Sequence, residues 1–229
     1  MSLLILLPPS EGKSAVPGTA AALAESHPDL ARDVAPVLKH LRRLPKDECA
    51  KWYGVSTAEK ASAAHRLNLA VLLAPGLSAL ERYTGVVYTH LAPATLREPA
   101  LAGRQLLIVS GMYGLIDGSL PIADYKLPLN PWLTKYWKPI NSKRLAALAG
   151  GQPVLSLLPG AHAKALDYAP LVNVDFKLEG GKKSAGHFGK AIKGKFVRFL
   201  LETPVTRIED IGEFREEGYR FDGRDFVQG

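Results

Sequence analysis

The chain has 229 residues, 47% of them hydrophobic and 22% charged, enough for a substantial core and too apolar for a disordered segment. Its formal net charge is +7, which favours nucleic acid, phosphorylated ligands or another anionic surface as partners and does not bear on fold. The single cysteine, Cys49, excludes an internal disulfide and a cysteine-built zinc site, and the opening Leu3–Leu7 run is too short to cross a membrane, so a cytoplasmic chain without membrane contact is expected.

Leu3 to Leu7 is wholly apolar and stopped by Pro8-Pro9, the pattern of a buried central strand. The loop after it, Pro8-Pro-Ser-Glu-Gly-Lys-Ser14, ends like a P-loop. The first glycine of that motif would fall at Leu7, however, and Val16-Pro17-Gly18 blocks the helix that should follow. A Walker A site is therefore rejected, while Lys13 and Ser14 stay as candidate ligand contacts at a strand end. Asp29 to Leu44 has helical spacing, with cations near its C-terminal end where they suit the helix dipole. Lys46 to Trp52 predicts a second helix, Tyr53-Gly54-Val55 a turn, and Ser56-Thr-Ala-Glu59 a capping box opening a third. Helix, glycine hairpin, helix over about 46–66 is the outline of a unit that holds a DNA phosphate on hairpin amides, which makes Tyr53, Gly54 and Ser56 candidate contacts. Two helices joined by a glycine turn are also common in any helical protein.

Pro75-Gly76 ends that helix, Leu77 to Arg82 predicts a short helical piece, and Val86-Val-Tyr88 predicts a strand. Leu106 to Val109 is a second apolar strand. From Met112 to Gly118 the chain has no helical period, and this glycine-bearing stretch leading to Asp124-Tyr125-Lys126 reads as an irregular functional segment. Asn130 with Pro131 begins a helix carrying Trp132, Tyr136 and Trp137, and Asn141 to Leu148 forms another. Val154 to Leu158 is a third apolar strand, followed by Pro159-Gly160 and a helix with His162. Alternation from Val172 to Leu178 predicts one half-buried strand. Thr206 to Phe214 reads as a short helix and Tyr219 to Phe221 as a closing strand.

The densest charge lies between Lys182 and Glu202. Lys182, Lys183, Lys190, Lys193, Lys195 and Arg198 occur there before any acid, while Phe188, Ile192, Phe196 and Phe199 recur at helical spacing. A helix that buries one face and shows cations on another is either a solvated basic face or an anion contact. Together the elements predict one α/β domain over residues 1–229, with a mixed, largely parallel central sheet flanked by helices and a helix-hairpin-helix-like insertion. The loops at Pro8–Ser14, Ser110–Asp117 and Pro159–His162 would gather at one sheet edge, where such folds place their ligands.

Several segments taken together resemble the YaaA family of peroxide-stress proteins. They are the strand followed by Pro-Ser-Glu-Gly-Lys13, Tyr83-Thr84-Gly85, Ser110-Gly-Met-Tyr-Gly-Leu115, Tyr125-Lys126-Leu127, the basic helix ending Phe196-Val-Arg-Phe199, and Glu217-Gly-Tyr-Arg-Phe-Asp222. The resemblance runs the length of the chain. It implies a positively charged cleft, a helix-hairpin-helix, binding of double-stranded DNA, and protection from peroxide damage partly through lowered available iron. This chain departs from it in having Ile116-Asp117-Gly118 where many members have Leu-Arg-Pro, and Lys126 where arginine is usual, so bidentate anion contact is weakened there.

Two functions follow as expectations. In the first, Lys190, Lys193, Lys195 and Arg198, with the Tyr53–Ser56 hairpin, bind duplex DNA through its phosphates without reading sequence. In the second, the same cleft acts on a small anionic or nucleotide-like substrate, with Ser10, Lys13, Tyr113, Asp124, Tyr125, Lys126 and His187 able to bind or exchange protons. No catalytic motif decides whether the chain is an enzyme. The six histidines have no metal-ligand spacing, and neither a metal nor another cofactor is expected.

Overall fold

The computed structural model describes residues 3–98, 102, 105–182, 186–203 and 208–229. Its centre is a five-stranded sheet in the order β4-β3-β1-β6-β7, formed by Gly114–Asp117, Leu106–Ser110, Leu4–Leu7, Val154–Ser156 and Leu171–Asn173. The pairings β1–β3, β1–β6 and β6–β7 are parallel, and only β4 runs antiparallel, folded back on β3 as a hairpin. The Leu4–Leu7 strand is thus central, as its composition requires. Ile5 and Leu7 face one apolar cluster with Leu106 and Ile108, whereas Leu6, Leu107 and Val109 face another. A strand covered on both faces has no use for alternating polarity, which is why these runs are continuous.

One face is covered by α2 (Pro28–Arg42), whose Leu30, Val34, Val37, Leu38 and Leu41 are buried. The other is covered by α7 (Pro131–Ala149) through Leu145 and Ala149. The two helices expected between Asn130 and Leu148 are one continuous helix with Pro139 inside it. Trp137 and Asn141 on either side of that proline are fully buried, so packing holds the helix across it. Around the hairpin, α3 (Lys46–Tyr53) ends on Gly54 in the left-handed region at φ 63, and α4 (Ala58–Ala70) follows. The cap of α4 is Thr57, accepting from the Lys60 amide, and not the Ser56–Glu59 box.

Three other segments differ from expectation. Val86–Leu91 is a helix (α6) and not a strand: Tyr88 and Leu91, three apart, both turn inward. The stretch after Met112 is not irregular, because Gly114–Asp117 is strand β4. The alternation from Val172 to Leu178 is divided between β7 and β8 (Phe176–Leu178), which lie in different sheets. The Asp175 amide, at the break, donates to Asp225 Oδ1 at 2.9 Å. Strand β8 joins β10 (Phe226–Gln228) and β9 (Tyr219–Phe221) in a small sheet around Phe176, Phe196, Phe214 and Phe226. Residues 208–213 form a 3-10 helix, and the earlier part of the expected Thr206–Phe214 helix, like Lys183, lies outside the described residues.

The basic segment is a helix, α9 (Gly186–Glu202), seated on α6. Contact is close at Gly194, where an added Cβ would stand 2.3 Å from the Val87 carbonyl oxygen. No described helix is long and apolar enough to cross a membrane.

Candidate functional site at the strand ends

Because β1 and β6 are parallel neighbours, their C-terminal ends leave the sheet on the same edge. The chain goes from β1 to β3 on one side, and later returns to β6 on the other. Strand order therefore reverses beside β1, the position where open α/β sheets form a crevice. The β1 loop, Pro8 to Ser14, projects into it and divides it in two.

That loop is held by the segment before α6. The Tyr88 hydroxyl donates to the Pro8 carbonyl at 2.8 Å, and the Thr84 amide to Gly12 at 3.1 Å. Arg82, only 3% exposed, gives Nη1 to the Ser14 and Val16 carbonyls at 2.5 and 3.0 Å. A buried guanidinium spent on main-chain oxygens is a structural clamp, since each oxygen would otherwise be stranded. Ser14 belongs to this clamp: its hydroxyl accepts from the Val16 amide at 3.2 Å.

On one side of the loop, a cavity of about 240 Å³ is lined by Ser10, Glu11, Lys13, Tyr125, Lys126 and His162, among others. Lys13 Nζ sits 4.1 Å from the centroid of the Tyr125 ring and donates to the Ser10 carbonyl at 3.1 Å. Burial pulls its pKa down to about 8, against the opposing pull of Asp124. Lys126 Nζ pairs with Glu11 at 3.2 Å, and its backbone is gripped by fully buried Asn68, which accepts from the Lys126 amide at 2.8 Å and donates to its carbonyl at 2.9 Å. His162 enters from the short helix that follows β6, α8 (Gly160–Ala163). Its Nδ1 is buried with no hydrogen-bond partner, and burial lowers its pKa, favouring the neutral ring.

Behind Lys13 lies a layer of phenols. The Tyr125 hydroxyl is 2.8 Å from both the Tyr83 hydroxyl and Ser110 Oγ, and Ser110 Oγ also accepts from the Met112 and Tyr113 amides at 3.1 Å. Burial pushes Tyr125 up to about 12 and raises Tyr83, Tyr88 and Tyr113 as well. These phenols stay protonated at neutral pH, so they serve as a wall and a hydrogen-bonded brace and not as bases. Tyr113 is fully buried with its hydroxyl on the Ala123 carbonyl at 3.4 Å, so it offers no surface to a ligand.

On the other side of the loop, a cavity of about 420 Å³ is lined by Ser10, Glu11, Gly12, Val86, Tyr88, Leu157, Lys190 and Lys193 among others. The structure thus brings Lys13, Tyr125 and Lys126 together, and sets Lys190 and Lys193 across the loop from them. His187 is apart, in a shallow apolar depression with His90 and Phe188.

Most cations of α9 already have partners. Lys193 pairs with Asp175 at 3.4 Å, and Lys195 with Glu216 at 2.8 Å and with Glu217. Arg198 donates to the Leu91 carbonyl at 3.1 Å, to Thr95 Oγ1 at 2.8 Å and to Glu202 at 2.7 Å, closing the C-terminus of α6. In the helical hairpin Tyr53 is fully buried with its hydroxyl 2.6 Å from His65 Nδ1, while Gly54 and Ser56 are exposed. Among the described residues no three His, Cys, Asp or Glu side chains gather to hold a metal.

His162 was not singled out from the sequence, although its loop was. A histidine just past a Pro-Gly turn at an apolar strand's end carries the same positional signal as Lys13. Asn68 and Arg82 gave no signal, since each acts on main-chain groups distant in sequence.

Comparison with known proteins gives a consistent picture. A family model described as peroxide stress protein YaaA matches residues 3–225. The chain is 34% identical to a UPF0246 protein of Corynebacterium glutamicum (strain R), over 91% of this chain and 90% of that protein. It is 33% identical to a UPF0246 protein of Streptomyces coelicolor, over 95% of this chain and 91% of that protein. A UPF0246 protein of Lacticaseibacillus paracasei is 25% identical, covering 86% of each chain.

Proposed function

The chain belongs to the YaaA family of peroxide stress proteins, and on that premise we propose that its working site is the strand-end crevice, where it binds and acts on a small anionic or nucleotide-like ligand. One observation carries this reading: Lys13, Lys126 and His162, from three separate segments, line a single cavity of about 240 Å³ beside the central strand. A cavity with two amines, an imidazole and an aromatic wall suits a compact anion. It is too small for a duplex. The lowering of available iron implied by the family resemblance is then indirect.

Duplex DNA is a second reading, favoured by exposed Lys190 at the rim of the larger cavity and by the exposed Gly54–Ser56 turn. It is weakened by the ion pairs of Lys193, Lys195 and Arg198, which a phosphate would have to displace. Calorimetric titration with pyrophosphate, AMP and a short duplex discriminates between the two. The crevice reading expects Lys13→Met to abolish small-anion binding and leave duplex binding unchanged. Unaltered affinity for pyrophosphate and AMP in Lys13→Met refutes it. Loss of duplex binding with a flatter salt dependence in Lys190→Glu supports the second reading.

A further inference from the structure

Lys13 differs from the surface lysines in how it is fixed. Its backbone forms an isolated antiparallel bridge with Tyr83, and its Nζ rests 4.1 Å from the Tyr125 ring centroid, drawn in over the phenol layer. Its acceptors are main-chain oxygens, Ser10 at 3.1 Å and Glu11 at 3.4 Å. Among the described residues no carboxylate stands within ion-pair distance of it. Lys126, in the same cavity, is held by the carboxylate of Glu11, whose side chain is 81% exposed and readily displaced by another anion. His162 adds an imidazole whose Nδ1 is buried and unpaired. A partly buried amine without a carboxylate partner, beside a second cation in one small cavity, makes a different device from a simple anion cradle.

We propose that Lys13 is a nucleophilic amine that condenses with a small carboxylate-bearing carbonyl compound, of the 2-oxo acid class, whose carboxylate is held by Lys126. The proposal rests on the crevice reading and names its substrate class. The neutral Nζ gives its lone pair to the carbonyl carbon. One Nζ proton passes to the carbonyl oxygen, forming a carbinolamine. That hydroxyl then leaves with the second Nζ proton as water, giving an imine, and neither oxidant nor reductant is consumed. With its pKa lowered to about 8, Lys13 at pH 7 holds a neutral fraction about 300 times that of a lysine at 10.5. Lower basicity weakens the nucleophile, leaving an advantage on the order of tenfold. The cavity of about 240 Å³ limits the substrate to a few carbon atoms.

The test is reductive trapping of the full chain with glyoxylate and cyanoborohydride at pH 7, read by peptide mass mapping, with glycolaldehyde as the uncharged control. The expected result is glyoxylate modification of Lys13 about tenfold faster than of exposed Lys46 and Lys60. Lys126→Ala should remove the preference for glyoxylate over glycolaldehyde. Lys13→Arg should lose the fast adduct and retain pyrophosphate binding. Even labelling across lysines overturns the proposal, and equal trapping of both aldehydes by the wild type overturns the role given to Lys126. If pyrophosphate binds but Lys13 is not trapped, the imine fails and the crevice reading stands. If neither occurs, both fail.

Discussion

Replacing Lys13 with Met tests directly whether the amine is held at an energetic cost. Its folded pKa of about 8 lies below the ordinary 10.5, so between those values the unfolded chain binds a proton that the folded chain does not. Stability therefore rises with pH across that window. The penalty is complete below pH 8 and is relieved as pH climbs through 10.5. The shift corresponds to about 3 kcal/mol at neutral pH, of which about 2.5 kcal/mol is relieved between pH 7 and pH 10. Methionine keeps the unbranched stem, one atom shorter, and removes the charge, so the variant lacks this component. Urea denaturation of both proteins at several pH values isolates it, because packing differences do not change with pH and cancel in the comparison. The stability gap in favour of Lys13→Met should shrink by about 2–3 kcal/mol from pH 7 to pH 10. A gap that stays constant within about 0.5 kcal/mol would show that the amine is as well solvated as a surface lysine, and the reasoning would fall. Saturating pyrophosphate gives the converse check. An anion beside Nζ restores the charged form, so binding at pH 9 should take up close to one proton, measured calorimetrically in buffers of different ionisation enthalpy.

Asn141→Leu should destabilise the protein by about 2–5 kcal/mol in thermal or urea unfolding, because the Leu115 amide and Ala165 carbonyl, now bonded at 2.7 and 2.9 Å, would be buried unpaired. A loss under about 1 kcal/mol would refute that. Gly194→Ala would gain about 1 kcal/mol as an isolated helix, yet in this chain it should lose about 1–3 kcal/mol, since the Cβ would press on the Val87 carbonyl and part α6 from α9. Net stabilisation would show that the two helices can separate at no cost. Asn68→Leu should raise amide exchange around Lys126 and weaken pyrophosphate binding about tenfold, by releasing the two hydrogen bonds that fix that backbone. Unchanged exchange there would mean the phenol layer alone holds the segment.

The sheet was legible in the sequence because its three central strands are buried on both faces, and a doubly buried strand announces itself as an unbroken apolar run. The strand-end loops were legible for the same reason, since each run stops at a polar turn. Misreadings arose where local preference and tertiary packing disagree. Val86-Val-Tyr88 favours a strand by residue type, but the nearby α9 rewards a helix that turns Tyr88 and Leu91 inward. Pro139 reads as a helix break, yet buried Trp137 and Asn141 carry the helix across it. Within the crevice, Lys13, Tyr125 and Lys126 could be found from motif and position. The residues that hold them could not, because Asn68 and Arg82 act through hydrogen bonds to distant segments and leave no periodic trace.

The basic helix shows why charge counting and charge placement give different answers. Reading along the chain, Lys193, Lys195 and Arg198 form an acid-free run. In three dimensions the acids arrive from elsewhere: Asp175 from the link between two sheets, and Glu216 and Glu217 from the turn before β9. Each pair is partly exposed and contributes little to stability, but it lowers the local positive potential that would draw a polyanion. The C-terminal acids that offset the net charge are thus folded back onto the helix that carries much of it. Inside the strand-end crevice the balance differs. Lys13 has no carboxylate within ion-pair distance among the described residues, and Lys126 has only an exposed Glu11. An anion entering that small cavity would meet both amines at a lower dielectric than on the helix, where each charge counts for more.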